Sequence, residues 1–162
     1  MSGADMRRIL VPVDLSGCTS LALRRAKEFA RQFNAVIDLL HVVPSALNTS
    51  RHDPNPPVAG LAAVLKKEAR RELSKLVANL WEEDLMATVV VREGQPHDVI
   101  LKEARSLNAD LIVMGAYEQN WLSRLLGKST VERVVQSARC PVIVFRAAAN
   151  GAHLNIAGRI PA

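Results

Sequence analysis

Residues 111–146 read LIVMGAYEQNWLSRLLGKSTVERVVQSARCPVIVFR, and this stretch decides the fold. An apolar run from Leu111 closes at Gly115, and a loop carrying Trp121 follows. Gly127-Lys128-Ser129-Thr130 then leads into a segment of helical spacing that ends near Arg139, and a second apolar run begins after Pro141 and reaches Phe145. Two short apolar runs separated by a helix predict a β-α-β unit, whose strands lie parallel. A strand that closes on glycine, with a loop opening into a helix N-terminus, also turns backbone N–H groups toward an anion.

The same alternation runs back to the start of the chain. RRILVPVD (Arg7 to Asp14), AVIDLLHVV (Ala35 to Val43) and Met86 to Val91 read as three earlier strands. Between the first two, Leu21, Ala22, Leu23, Ala26, Phe29, Ala30 and Phe33 recur at helical spacing, with Ser16 as cap and Asn34 as stop. Leu61 to Trp81, with Leu61, Val64, Leu65, Ala69, Leu73, Leu76, Val77 and Leu80 at helical spacing, predicts a long amphipathic helix, and Pro96 to Asn108 a third one opened by its proline. Strict β-α alternation with apolar strands predicts one domain, an open five-stranded parallel sheet with helices on both faces. Pro44 to Gly60 holds four of the eight prolines and reads as a long irregular loop. Residues 147–162, rich in Ala, Gly and Asn, read as a loosely ordered tail or as a segment lying against a partner subunit.

Composition narrows the function. At 162 residues and 49% hydrophobic content, the chain is an ordinary folded domain, with no apolar run near the roughly 18 residues that cross a bilayer. It shows no secretory leader, so the cytoplasm is the expected compartment. The net charge of +5 comes from Lys and Arg interspersed with acids at helical spacing, and aromatics make up only 4%. Without a basic stripe or stacking platform, nucleic acid is not an expected partner. Cys18 and Cys140, and the four histidines (His41, His52, His97, His153), fall at no metal-ligand spacing. No Ser-His-Asp set and no paired-carboxylate motif points to hydrolysis, so a weak ATPase is the most that catalysis would amount to.

In a doubly wound sheet a ligand sits beyond the strand C-termini where the strand order reverses. If the first and fourth strands are neighbours, Asp14 and Gly115 flank one crevice. Gly-Lys-Ser-Thr is not a P-loop here, because the glycine such a loop needs upstream is Leu122. Ser129 and Glu132 form an S-x-x-E capping box, so Ser129 serves as a cap alone or as a cap that also touches phosphate. Asp14 reads either as a ligand contact or as a turn residue. Cys18 opens a helix, where the dipole activates a thiol, but without a resolving partner it reads as a passive small residue. Trp121, Leu122, Leu125 and Leu126 form an apolar patch that is packing, a lid or a partner surface.

These residues resemble the universal stress protein family over nearly the whole chain to about Arg146. The resemblance rests on ILVPVDLS, LLHVV, REGQPHDVI, ADLIVMGAY, LLGKSTVERV and CPVIVF. It implies strand order 3-2-1-4-5, a cytoplasmic regulatory protein, and a homodimer joined through the fifth strand. It further implies ATP, with Mg, or another adenine nucleotide as ligand. Nucleotide-binding members carry Gly-x-x-Gly, a spacer, then glycine before Ser or Thr. By position the first glycine is Gly115 and the hydroxyl is Ser129, followed by Thr130 and Val131. Asp14 matches the acid near the ribose, and Pro12, Val42 and Met114 match the adenine pocket.

The pattern departs at two places: Glu118 replaces the second glycine, and Lys128 the third, with Gly127 displaced one position earlier. A carboxylate about 4 Å from a phosphate charge costs roughly 4 kcal/mol at an effective dielectric of about 20. Lys128 would offset that cost as a phosphate-binding point charge. If Glu118 prevails, the alternative is a dimeric interaction module of the same fold that binds no nucleotide.

Overall fold

Side-chain alternation along the strands builds two cores. Ile9, Val11, Val13, Ile37, Leu39, Leu111 and Val113 are buried on one face of a sheet. Their sequence neighbours Leu10, Leu40, Ile112 and Met114 are buried on the other. A strand buried on both faces needs helices above and below it, and four helices supply them.

The computed structural model describes residues 6–15, 17–45, 60–117, 129–148 and 151–154. Its elements in chain order are β1 (Arg8–Pro12), α1 (Gly17–Phe33), β2 (Val36–Val43), α2 (Leu61–Glu82) and β3 (Ala87–Glu93), followed by α3 (Pro96–Ser106), β4 (Leu111–Tyr117), α4 (Thr130–Ser137), β5 (Val142–Ala148) and β6 (Gly151–Leu154). They form one sheet of order β3-β2-β1-β4-β5-β6. The first five strands pair in parallel, which gives the expected 3-2-1-4-5 arrangement. Helices α1 and α2 supply the first core, and α3 and α4 the second.

Asn34, Asp84 and Asn108 stop the first three helices. They adopt left-handed φ of 51°, 57° and 49°, a conformation that Asn and Asp tolerate best after glycine. The turn from β3 into α3 requires Gly94, whose φ is 145° and where an added Cβ would lie 2.9 Å from Val99 Cγ2. Pro96 then opens α3 as its spacing predicted.

Polar groups tie the N-terminal ends of the strands together. Asp110 Oδ2 accepts the backbone N–H groups of Arg7 and Arg8 at 2.8 and 3.0 Å, which anchors the start of β1 beside β4. Asp38 is fully buried in β2. It accepts two bonds from the Arg8 guanidinium, at 3.0 and 2.8 Å, and one from the Thr88 hydroxyl at 2.6 Å. Three strands are thus joined by one carboxylate. Its hydrogen bonds raise the Arg8 pKa above its ordinary value, against the desolvation that lowers it.

The structure corrects the sequence reading in three places. First, β4 does not stop at Gly115: Ala116 and Tyr117 stay in register with Arg146 and Ala147 of β5, so the glycine lies inside the strand. Second, residues 151–154 of the tail form β6, antiparallel to β5, with Phe145 opposite Leu154 and Ala148 opposite Gly151. β6 therefore lies on the outer edge of β5, the edge a dimer through the fifth strand would use. Third, α2 buries only Ala69, Leu73, Val77 and Leu80. Leu61, Val64 and Leu65, which the periodicity counted on the same face, are exposed. Ser16, residues 46–59 of the proline-rich loop, Glu118, Trp121, Leu122, Leu125, Leu126, Gly127 and Lys128 lie outside the described residues.

Candidate functional site

The sheet opens between β1 and β4. Those two strands pair only at Ile9–Leu111 and Leu10–Ile112. Beyond that point β1 stays with β2, through Pro12 opposite Leu40 and a 2.8 Å bond from the Val13 N–H to the Leu40 carbonyl. β4 stays with β5 as far as Tyr117. Each strand follows its outer neighbour, and a crevice is left between their C-terminal ends. Strand order reverses here too, since β1 leads outward to β2 on one side while β4 leads to β5 on the other. This is the switch point at which open α/β sheets take ligands.

Asp14 stands on one lip of the crevice, two residues past the end of β1, and is exposed. Its Oδ1 accepts the Thr19 hydroxyl at 3.0 Å, so the first turn of α1 fixes the carboxylate. The turn between them is tight: Leu15 has φ 61°, a left-handed conformation that costs a leucine roughly 1–2 kcal/mol. A His41 ring nitrogen, Nδ1, lies 2.8 Å from the Val13 carbonyl, holding the end of β1 from the β2 side. Neither Thr19 nor His41 stood out in the sequence. Thr19 was legible in hindsight as a hydroxyl one helical turn into the segment after Asp14; the His41 contact depends on strand pairing and left no local signal.

Gly115 is half-buried in β4 on the other lip. Helix α4 runs back from this end of the sheet, because it connects two parallel strands, so its N-terminus faces the crevice side. The capping box is formed: Ser129 Oγ accepts the Glu132 N–H at 3.2 Å, and Glu132 Oε2 accepts the Ser129 N–H at 3.1 Å. The Ser129 hydroxyl hydrogen is not used by that cap, and N–H groups at a helix start have no acceptor within their own helix. Ser129, Thr130 and Val131 therefore combine a formed cap with donors suited to an anion. Ser129→Ala is expected to lower stability by about 1 kcal/mol, the usual value of an N-cap; urea unfolding measures it.

The expected adenine-side residues divide. Met114 is buried in the core of the α3–α4 face, and Val42 and Val131 pack against the same cluster. Pro12, half-buried, ends β1 beside them. Val42, Met114 and Val131 thus share one hydrophobic cluster on the α3–α4 face of the sheet. Gly127 and Lys128, expected on the phosphate side, are outside the described residues. Of Cys18 only the backbone is described, whereas burial pushes the half-buried Cys140 thiol pKa up and makes it a poor nucleophile. Among the described residues no group of three His, Cys, Asp or Glu gathers as a metal site, and no helix is long and apolar enough to cross a membrane.

A doubly wound parallel sheet with an acid on one lip of its switch-point crevice and a capped helix N-terminus near the other defines a Rossmann-like α/β protein. The chain belongs to the universal stress protein family, which it matches over residues 6–146. It is 32% identical over 142 residues to Universal stress protein G of Salmonella typhimurium, covering 86% of this chain and 99% of that protein. Universal stress protein UspA from Lactobacillus plantarum superposes with a TM-score of 0.72 at 28% identity, covering 88% of this chain and 99% of that one. A universal stress protein from Archaeoglobus fulgidus, in complex with dAMP, superposes with a TM-score of 0.58 at 26% identity over 85% of this chain and 96% of that one.

Proposed function

We propose that this chain is a cytoplasmic, stress-type regulatory protein that holds an adenine nucleotide in the crevice between β1 and β4. The observation that carries the reading is the parting of those strands after Leu10 and Ile112, with an exposed, oriented carboxylate past the end of β1 and a capped helix N-terminus following β4. The dAMP complex of the Archaeoglobus relative supports the ligand class. In this reading Asp14 accepts hydrogen bonds from the ribose, and Val42 and Met114 form the apolar floor under the base. Ser129, Thr130 and Val131 meet the phosphates at the N-terminus of α4. Lys128 adds charge to that contact, and a Mg ion accompanying ATP is held through the phosphates. The role is binding rather than turnover.

The test is direct. Native protein, heated and filtered, should release AMP, ADP or ATP to chromatography, and ligand-free protein should give calorimetric heat on addition of each. An empty filtrate together with no heat rejects the reading and favours the interaction module. In that case replacing both Glu118 and Lys128 by glycine should create binding that the parent lacks.

A further inference from the structure

β3 forms one margin of the sheet: among the described residues no strand pairs with it on the side away from β2. Its two rows of backbone groups can be told apart. The Ile37 N–H bonds the Met86 carbonyl at 2.9 Å, and the Gly94 N–H bonds the Val43 carbonyl at 3.0 Å. With Ile37 opposite Ala87 and Val43 opposite Glu93, Thr88, Val90 and Arg92 turn their N–H and C=O groups toward β2. Ala87, Val89, Val91 and Glu93 therefore turn theirs outward. An outward row along Thr-Val-Val-Val, which is rich in strong strand formers, is a template for another chain if left bare.

Two side chains reach that row, one from a helix and one from β3 itself. Trp81, near the end of α2, donates its indole N–H to the Ala87 carbonyl at 3.2 Å, although the residue is 60% exposed. Arg92 donates from Nη1 to the Val91 carbonyl at 3.3 Å. The same guanidinium is fixed by Glu103 of α3, a buried carboxylate that accepts from Nε at 2.8 Å and from Nη2 at 3.3 Å. Both outward carbonyls that flank Val89 are thus already bonded to side chains.

Those carbonyls are the ones a second copy of the strand needs. Two copies of β3 paired antiparallel about a two-fold axis at Val89 set Ala87 opposite Val91, Thr88 opposite Val90 and Met86 opposite Arg92, with no like charges facing. The hydrogen-bonded pairs are then Ala87–Val91, Val89–Val89 and Val91–Ala87, each exchanging two bonds. Both bonds of each outer pair end on an Ala87 or Val91 carbonyl, so only the central Val89 pair avoids the groups that Trp81 and Arg92 hold. Elsewhere a bond gained from the second copy displaces one already made. We propose that Trp81 and Arg92 are edge guards: by occupying the Ala87 and Val91 carbonyls they stop β3 from pairing with the β3 of a second copy. Glu103 is the positioning residue that keeps Arg92 in place. The device is independent of what the crevice binds.

Hydrogen exchange and sedimentation of the full chain test this. In the parent the Val89 and Val91 amides should exchange about tenfold or more faster than those of Thr88 and Val90, which face β2. The combination Trp81→Ala, Arg92→Ala and Glu103→Gln frees both carbonyls without stranding a buried charge. It should sediment at double the parent's mass or more, with the Val89 amide now protected. Adding Val89→Pro, which removes only an outward N–H, should return it to the parent's mass. Trp81→Ala alone leaves the Arg92–Glu103 pair intact and should associate to an intermediate degree. Circular dichroism checks that each variant keeps the fold; if the triple variant does not, Trp81→Ala with and without Val89→Pro decides. Unguarded protein of the parent's mass overturns the proposal, and so does association that Val89→Pro leaves unchanged. A parent whose Val89 amide is as protected as that of Val90 also overturns it, since the edge is then already in use.

Discussion

Arg8→Ala is expected to lower the stability of the protein by about 3 kcal/mol, the low end of what breaking a buried ion pair costs. Asp38 has no exposed surface, and among the described residues the guanidinium donates two of the three side-chain hydrogen bonds that its carboxylate accepts, at 3.0 and 2.8 Å. Without Arg8 the carboxylate keeps only the Thr88 hydroxyl among those partners. The low end applies because the Arg8 side chain is 37% exposed, so water can reach part of the vacated space. For a chain of this size 3 kcal/mol corresponds to a fall of roughly 6–12 °C in Tm. The reciprocal change costs less: in Asp38→Asn the arginine returns to water and the amide oxygen can still accept from Thr88. Arg8→Ala combined with Asp38→Asn should therefore be more stable than Arg8→Ala alone, since no buried charge is stranded. Calorimetry of the three variants decides; an Arg8→Ala protein within about 1 kcal/mol of the parent would show that the pair carries no such weight.

That ion pair marks a boundary of what the sequence discloses. The strands were legible because each is an apolar run cut off by charge or a turn residue, and the helices because their apolar spacing ends at Asn34 and Asn108. Both signals are local. Asp38 sits inside one such run, VIDLL, and nothing local says whether a carboxylate there faces water or is buried. Its partners lie 30 and 50 residues away and meet it only once β1, β2 and β3 align. β6 was missed for the opposite reason. Asn150-Gly151 is a hairpin signal, but weak strand formers follow it, and the pairing comes from the free edge of β5 rather than from the tail's own periodicity.

The crevice was half legible. Asp14 and Gly115 could be named from where the apolar runs stop, and the resemblance supplied the neighbouring positions of β1 and β4. That β4 continues to Tyr117 follows instead from pairing with β5, which overrides the break the glycine suggested. Ser129 was readable as a cap because a capping box is a local pattern, and the reciprocal bonds to Glu132 are formed. Thr19 and His41 were not readable as a pair of supports, since they act on the end of β1 from two different elements.

The largest effect on binding is expected at Asp14. Asp14→Ala should weaken adenine nucleotide binding by about 10- to 100-fold, since a hydrogen bond to a charged group contributes roughly 1.5–3 kcal/mol. Stability should also fall, by about 1 kcal/mol, because Thr19 is buried and its hydroxyl loses the exposed carboxylate as acceptor. Thr19→Val provides the graded comparison: the carboxylate remains but loses the bond that orients it. Its affinity should fall by about fivefold, the equivalent of one ordinary hydrogen bond. The ligand side completes the cycle. The parent should bind AMP more tightly than its 2′,3′-dideoxy counterpart, and Asp14→Ala should bind both alike, because the hydroxyls then have no carboxylate to meet. Calorimetric titration gives all of these values. If Asp14→Ala keeps the parent's affinity while Ser129→Ala loses it, the phosphate side alone holds the ligand and the acid is a turn residue. If neither changes it, the nucleotide does not sit between β1 and β4.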